Sequence, residues 1–243
     1  MIEFINVHKA FGTKKVLNGL DLKIERGEIF FILGRSGTGK SVLLKHLVGL
    51  LKPDQGKVIL EGRELQNASE RDFQKVRKMC SLVFQLPALL DSLNLFENLT
   101  FGIQELPIRQ RIERAQESLD WVGLQNLKDQ LLIKYPPQLS YGEQKRVAHA
   151  RSLALDPDYI LYDEPTTGLD PATSKAIHQL ISHVSTKLGK TSIVVSHDMA
   201  NALSTATQIA ILDGGKRVFH GTPREVQSST LPLARQFLGD LSR

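Results

Sequence analysis

Cysteine is nearly absent from this sequence. The 243 residues hold one, Cys80, so neither an internal disulfide framework nor a cysteine-built zinc cluster can form. A single thiol fits a reducing compartment. Long apolar runs are missing as well. Ile29-Phe30-Phe31-Ile32-Leu33 is typical of the longest, far short of the ~18 residues a membrane-spanning helix needs. Met1 to Asn6 has neither the basic start nor the apolar stretch of a signal peptide, and none is expected. Any membrane role is therefore expected to run through a partner. Internal repeats, low-complexity tracts and dense basic clusters are also absent. The 31 Lys and Arg against 26 Asp and Glu leave a net charge of +5. That excess is compatible with nucleic acid, an anionic membrane surface or nucleotide phosphates. Runs such as Arg71 to Lys78 and Arg109 to Arg114 mix both signs, and read as solvated helix faces rather than a nucleic-acid patch.

What is present is an ordinary globular composition. Hydrophobic residues make up 41% and charged residues 23%, which excludes intrinsic disorder. The length favours one domain, or one core with an inserted subdomain. The first third reads as strands and turns. Ile2 to Val7 alternates, and Ile29 to Leu33 is a buried strand that stops at a glycine-rich stretch. From Ser41 the apolar spacing turns helical and ends near Gly49 to Pro53. Val58 to Leu60 and Ser81 to Phe84 are short strands. The middle, about Pro87 to Asp156, looks helical, with Ile108 to Trp121 and Gly142 to Ala154 as segments. In the last third, Tyr159 to Tyr162 and Ser192 to Val195 are buried-type strands flanking a helix, Ala172 to Leu188. Strands alternating with helices predict a mostly parallel α/β sheet, into which the helical middle is inserted.

The strongest local signal is Gly34-Arg35-Ser36-Gly37-Thr38-Gly39-Lys40-Ser41. It fits G-x-x-x-x-G-K-[ST], follows a buried strand and opens a helix. Glycines at 34, 37 and 39 let the backbone curl its N–H groups toward one anion, and the helix N-terminus adds partial positive charge. Lys40 is expected to reach the β- and γ-phosphates, and the Ser41 hydroxyl to ligate Mg²⁺. A second signal is Tyr159-Ile160-Leu161-Tyr162-Asp163-Glu164. It places two carboxylates at the C-terminal end of a strand, where ligands bind in open α/β sheets. Asp163 is expected to hold Mg²⁺ through water, and Glu164 to polarise an attacking water. His197 also follows a buried strand, and is expected to sense the γ-phosphate or help hold that water.

The order Gly34–Ser41, Gln85, Leu139-Ser140-Tyr141-Gly142-Glu143-Gln144, Asp163-Glu164, Gly168-Leu169-Asp170-Pro171 and His197 resembles an ATP-binding-cassette (ABC) ATPase over nearly the whole chain. Leu139–Glu143 is similar to the family signature Leu-Ser-Gly-Gly-Gln, departing at Tyr141 and Glu143. The resemblance implies an α/β P-loop NTPase of RecA-like core, with a mostly parallel sheet and an N-terminal antiparallel β-subdomain. Residues 87–156 would form a helical signature subdomain between the core segments 1–86 and 157–243. It implies an ATP-dependent homodimer in which two cassettes close head to tail. Each ATP would then sit between the Gly34–Ser41 loop of one chain and Ser140 and Gly142 of the other. Asp170 would lie in the loop that crosses the interface. Gln85 would bridge Mg²⁺ and the helical subdomain, and Phe11 would stack on adenine, the alternative for Phe11 being loop packing. In the family, the stretch Leu86 to Leu99 forms the groove for a coupling helix of a membrane subunit; the alternative is that these leucines fill the core.

Gly49-Leu50-Leu51-Lys52-Pro53-Asp54, the stretch after Gln85 and Arg235-Gln236-Phe237-Leu238-Gly239 resemble the ATPase subunits of Mla/Mce-type lipid transporters. That implies a subunit on the cytoplasmic face of the inner membrane, with a permease and a Mce-type lipid-binding protein in the same complex. Importer ATPases for polar amino acids carry similar motifs and are the alternative. The segment Leu231 to Arg243 either reaches across the dimer or packs on its own domain. A soluble ABC ATPase acting on nucleic acid usually needs a tandem cassette, a coiled-coil insert or a zinc module, and none is present here.

Overall fold

Alternating burial along one strand divides the interior. The computed structural model describes residues 1–239, and its central strand β3 (Ile29–Leu33) is buried along its whole length. Ile29, Phe31 and Leu33 join one core cluster, while Phe30 and Ile32 join another. Successive strand residues point to opposite faces, so β3 is a wall with a core on each side. Strands β4 (Gln55–Leu60), β5 (Arg63–Glu64), β1 (Ile2–Phe11) and β2 (Lys14–Ile24) form an antiparallel sheet in the order β2-β1-β4-β5. That sheet, α1 (Lys40–Leu47) and α2 (Glu70–Met79) share the Phe30 side. On α2, Phe73 and Val76 are buried and the charged residues face outward, as the mixed-sign run implied.

The second sheet is six-stranded among the described residues. Its strands are β6 (Cys80–Val83), β7 (Tyr159–Asp163), β8 (Thr191–Ser196), β9 (Gln208–Asp213) and β10 (Lys216–Gly221), with β3, in the order β10-β9-β3-β8-β7-β6. Every pairing is parallel except β9 with β10. Adjacent parallel strands β6 and β7 are separated in sequence by the entire helical middle: α3 (Leu95–Thr100), α4 (Ile108–Trp121) and α5 (Tyr141–Ala154). These helices bury Leu95, Leu99, Leu119 and Val147 in the Ile29 cluster, together with α6 (Pro171–Leu188). The chain closes with α7 (Met199–Thr205), α8 (Pro223–Ser228) and α9 (Pro232–Gly239). Ala234 of α9 is fully buried in the same chain's core. The Leu231 to Gly239 part therefore packs on its own domain, and the last four residues lie outside the described region. Cys80 is a buried free thiol, which burial pushes up to about 12.

Candidate active site

The phosphate loop joins β3 to α1 at the edge where the parallel strands end. Gly39 caps α1 with a φ of 99°, and a Cβ there would lie 2.7 Å from Leu17 Cδ2. Gly34 differs from the curl expected of it, because it is not among the left-handed residues. A Cβ on Gly34 would meet Thr38 Oγ1 at 2.6 Å and the Leu212 carbonyl oxygen at 2.8 Å. Glycine is needed there for space, so that the loop can sit against β9. Lys40 opens α1 and is buried. Its Nζ donates to the carbonyls of Gly34 at 2.8 Å and Arg35 at 3.3 Å, and lies 3.4 Å from Glu164 Oε1.

Ser41 Oγ donates to Asp163 Oδ1 at 2.6 Å. Burial pushes the Asp163 carboxyl above its usual range, and the Ser41 hydrogen bond works against that. A desolvated carboxylate beside a hydroxyl is a pair of hard oxygen donors in need of positive charge. Mg²⁺ is held by such a pair when phosphate and water oxygens complete its shell. Among the described residues no group of three or more His, Cys, Asp or Glu could hold a metal, so the few-ligand mode is the one these residues fit.

Glu164 follows β7 with a φ of 48°. A non-glycine residue in this region stores about 1–3 kcal/mol of strain. The Glu164 amide donates to the Val195 carbonyl at 3.0 Å, extending the β7–β8 ladder by one residue and pinning the strained backbone. Its Oε2 lies 2.8 Å from His197 Nδ1. One carboxylate thus spans the loop lysine and the histidine that follows β8. Lys40, Ser41, Gln85, Glu164 and His197 line one cavity of about 840 Å³.

Arg35, Ser36, Gly37 and Gly39 line the same cavity. Thr38 braces the loop, donating to the Arg35 carbonyl at 2.9 Å. Phe11 stands beside the cavity: it pairs with Lys14 across the β1–β2 hairpin, and Lys14 reaches the cavity. The ring is 47% exposed under Lys9 Nζ at 5.6 Å. Ser140, Gly142 and Asp170 are not brought to the cavity. Ser140 caps α5, donating through Oγ to Glu143 Oε2 at 2.8 Å. Asp170 caps α6, accepting from Ala172 and Thr173 amides at 3.0 Å, and its bonds to Thr173 hold its carboxyl below the usual range. Leu86 to Leu99 divides: Leu95, Phe96 and Leu99 are core, while Leu86 and Leu90 are exposed. None of Leu86 to Leu99 lines the nearby groove of about 390 Å³, which is walled by Val48, Leu50, Leu82, Phe84, Phe101 and Leu155 together with Arg77 and Arg151.

Sequence reasoning missed Thr167, Asp198, Met199 and Phe237, which also line the main cavity. Asp198 could have been found from its place beside His197. Phe237 could not, because it arrives from α9, where Gln236 Oε1 accepts from Arg35 Nη2. The family model described as ABC transporter matches residues 17–167. The chain belongs to the ABC transporter family. As a member it is a P-loop ATPase that binds ATP. It is 38% identical to the methionine import ATP-binding protein MetN of Mesorhizobium japonicum over 91% of this chain, and spans 60% of that relative's length. It is 34% identical to the intermembrane phospholipid transport system ATP-binding protein MlaF of Escherichia coli, over 100% of this chain and 90% of the relative. Among solved structures it resembles the dimeric post-hydrolysis cassette MJ0796 bound to ADP and Pi, with a TM-score of 0.82 and 33% identity, covering 92% of this chain and 99% of that one.

Proposed function

We propose that this chain is the ATP-hydrolysing subunit of a membrane transporter that moves phospholipid or a related lipid. The observation that carries the lipid reading is the match to the phospholipid-system relative, which runs nearly end to end on both chains. The higher identity to the methionine import protein favours a second reading, a polar-solute importer, but that relative extends well beyond the matched part.

The chemistry follows from the cavity. Lys40 and the loop amides of Gly34 to Ser41 bind the phosphates, and Phe11 at the rim offers its exposed face to the base. Ser41 and Asp163, with Gln85, hold Mg²⁺, which when bound neutralises charge on the phosphates. Glu164 accepts a proton from the attacking water, and His197 orients Glu164 through Nδ1. Ser140 and Gly142, in the signature subdomain 87–156, face the nucleotide of a second copy. The Gly142 position supports this: among the described residues a Cβ there would meet Thr173 alone, at ordinary distances of 3.6 Å to Cγ2 and 3.8 Å to Oγ1. Nothing among the described residues demands glycine at that point, whereas a phosphate approaching from a partner would. Asp170, at the start of α6, lies beside that approach.

No helix of the described residues is long and apolar enough to cross a membrane. In the lipid reading, which the phospholipid-system relative supports, the subunit sits on the cytoplasmic face of the inner membrane, with the permease in the groove of Leu50 and Phe101 and a Mce-type lipid-binding protein in the same complex. The test is co-purification of tagged Glu164→Gln chain from gently solubilised membranes with Mg-ATP. A multi-span permease with bound phospholipid and a Mce-type protein is expected. A permease accompanied by a polar-solute binding protein would overturn the lipid reading and leave the nucleotide site in place.

A further inference from the structure

Helix α5 carries a polar stripe that runs from the exposed Tyr141 to the buried Lys145 and His149. Tyr141, Lys145 and His149 recur at i, i+4 and i+8, which stacks them on one side of a helix. Lys145 is fully buried. Its ammonium donates to the Gln85 carbonyl and, at 3.3 Å, to the Pro165 carbonyl. The Tyr141 ring covers it, with Nζ 5.9 Å from the centroid. His149 stacks on Tyr162 of β7 at 5.5 Å. Among the described residues no acid compensates the ammonium, and burial alone pulls its pKa below the usual lysine value. A buried charge held only by two carbonyls is costly. The same slot could be filled by an apolar side chain, so this cation has to be explained by what it holds.

Its two acceptors are not ordinary core atoms. Gln85 follows β6 and lines the nucleotide cavity, and Pro165 directly follows the strained Glu164. The strand β6 ends at Val83, two residues before Gln85, and the β7 ladder ends with the Glu164 amide, one residue before Pro165. We propose that Lys145 is a positioning residue: one ammonium on the signature helix fixes the Gln85 segment against the Asp163–Glu164 segment, so that the Gln85 side chain meets the Ser41–Asp163 pair. Movement of α5 then moves Gln85 and the segment behind Glu164 together. Tyr141 belongs to the same device. It shields the ammonium from water on the side facing Gly168, whose Cβ would lie 3.6 Å from the Tyr141 ring.

This inference rests on the nucleotide reading above, and the experiment separates the two. ATP affinity is measured by calorimetry with Mg²⁺ and with EDTA, alongside thermal melting, for the Glu164→Gln chain alone and with Lys145→Met, Gln85→Ala or both. Lys145→Met is expected to leave the Mg²⁺-free affinity within about twofold and to cut the gain from Mg²⁺ roughly tenfold, the usual worth of one charged hydrogen bond. Added to Gln85→Ala it should cost nothing further in that gain, although the melting shift from Lys145→Met should be the same in both backgrounds. Lys145→Gln, which keeps N–H donors in the slot, should recover most of the gain, and Lys145→Ala replaces Met if that variant does not fold. An unchanged Mg²⁺ gain, effects of Lys145 and Gln85 that multiply, or equal losses with Met and Gln would each overturn the proposal. Failure of both the wild-type and the Glu164→Gln chain to bind ATP under either condition would instead overturn the nucleotide reading.

Discussion

Replacing Glu164 by Gln exchanges one carboxylate oxygen for an amide and keeps the side chain's shape. The strained backbone at φ 48° is set by the Val195 bond, which the change does not touch, so the fold should survive. What disappears is the one carboxylate among the described residues that contacts both Lys40, at 3.4 Å, and His197, at 2.8 Å. An amide cannot take a proton from water. Loss of a positioned general base costs roughly 10²–10⁴-fold in rate, which is about 3–5 kcal/mol on the barrier. Binding should move the other way or not at all, because Lys40 loses a competing anion and keeps its carbonyl partners. Turnover is read by phosphate release at saturating Mg-ATP, and affinity by calorimetry on the same preparation. Nucleotide that binds without turning over should also trap the closed dimer, visible as a shift in sedimentation. Residual turnover above about a tenth of wild type would refute the assigned role, because a general base is worth at least ten times more than that. Loss of ATP binding would refute the geometry instead, by showing that Glu164 holds the loop open.

Three further outcomes are expected. Lys40→Ala should weaken ATP binding itself by roughly ten- to a hundredfold, the worth of charge-assisted bonds of about 1.5–3 kcal/mol; unchanged calorimetric affinity would remove Lys40 from the site. Leu50→Asp, at a position 53% exposed in the apolar groove, should abolish recovery of the permease while isolated ATPase activity stays within about twofold, surface changes being nearly neutral to the fold; intact complex recovery would move the interface elsewhere. Stability should fall as the pH drops below about 6.5. Burial holds the folded His149 at about 3 and lowers His46 and His178, so between those limits the unfolded chain binds more protons. Each such histidine then costs up to about 1.4 kcal/mol per pH unit, and denaturant midpoints should drop more steeply between pH 6.5 and 5 in wild type than in His149→Leu. Equal slopes would show that His149 is not buried neutral.

The parts of the fold that sequence revealed are those where one physical signal dominates. Strand β3 is a run of apolar residues with no competing pattern, and α4 was bounded correctly at Ile108 and Trp121 because Pro107 precedes it and Gly123 follows. Strand β2 was not singled out: its pattern is broken by Asn18-Gly19, where the chain bulges against β1. The phosphate loop, Asp163, Glu164 and His197 were legible because each sits at the end of a buried strand, and parallel strands bring those ends to one edge. Phe237 was not, since no local spacing connects α9 to a loop some 200 residues earlier in the chain. The leucines of Leu86 to Leu99 could not be divided between core and surface by composition. The capping box of Asn94 and Glu97 opens the helix that turns Leu95 and Leu99 inward, whereas Leu86 and Leu90 precede that helix and stay exposed.

The two departures from the family signature have separate causes inside the chain. Glu143 is the third residue of α5, and its carboxylate accepts from the Ser140 amide at 2.9 Å and the Ser140 hydroxyl at 2.8 Å. Those bonds hold its carboxyl below the usual range, as a negative charge in the first turn of a helix should be. A Gln in that place could close the same capping box through its oxygen, but without the charge. Tyr141 starts the stripe that covers Lys145, and a glycine there would leave the ammonium open toward Gly168. Tyrosine at 141 and lysine at 145 are therefore one feature: substituting either alone exposes or empties the slot that holds Gln85. Helix α5 thus carries its own electrostatic tie to the segments that follow β6 and β7.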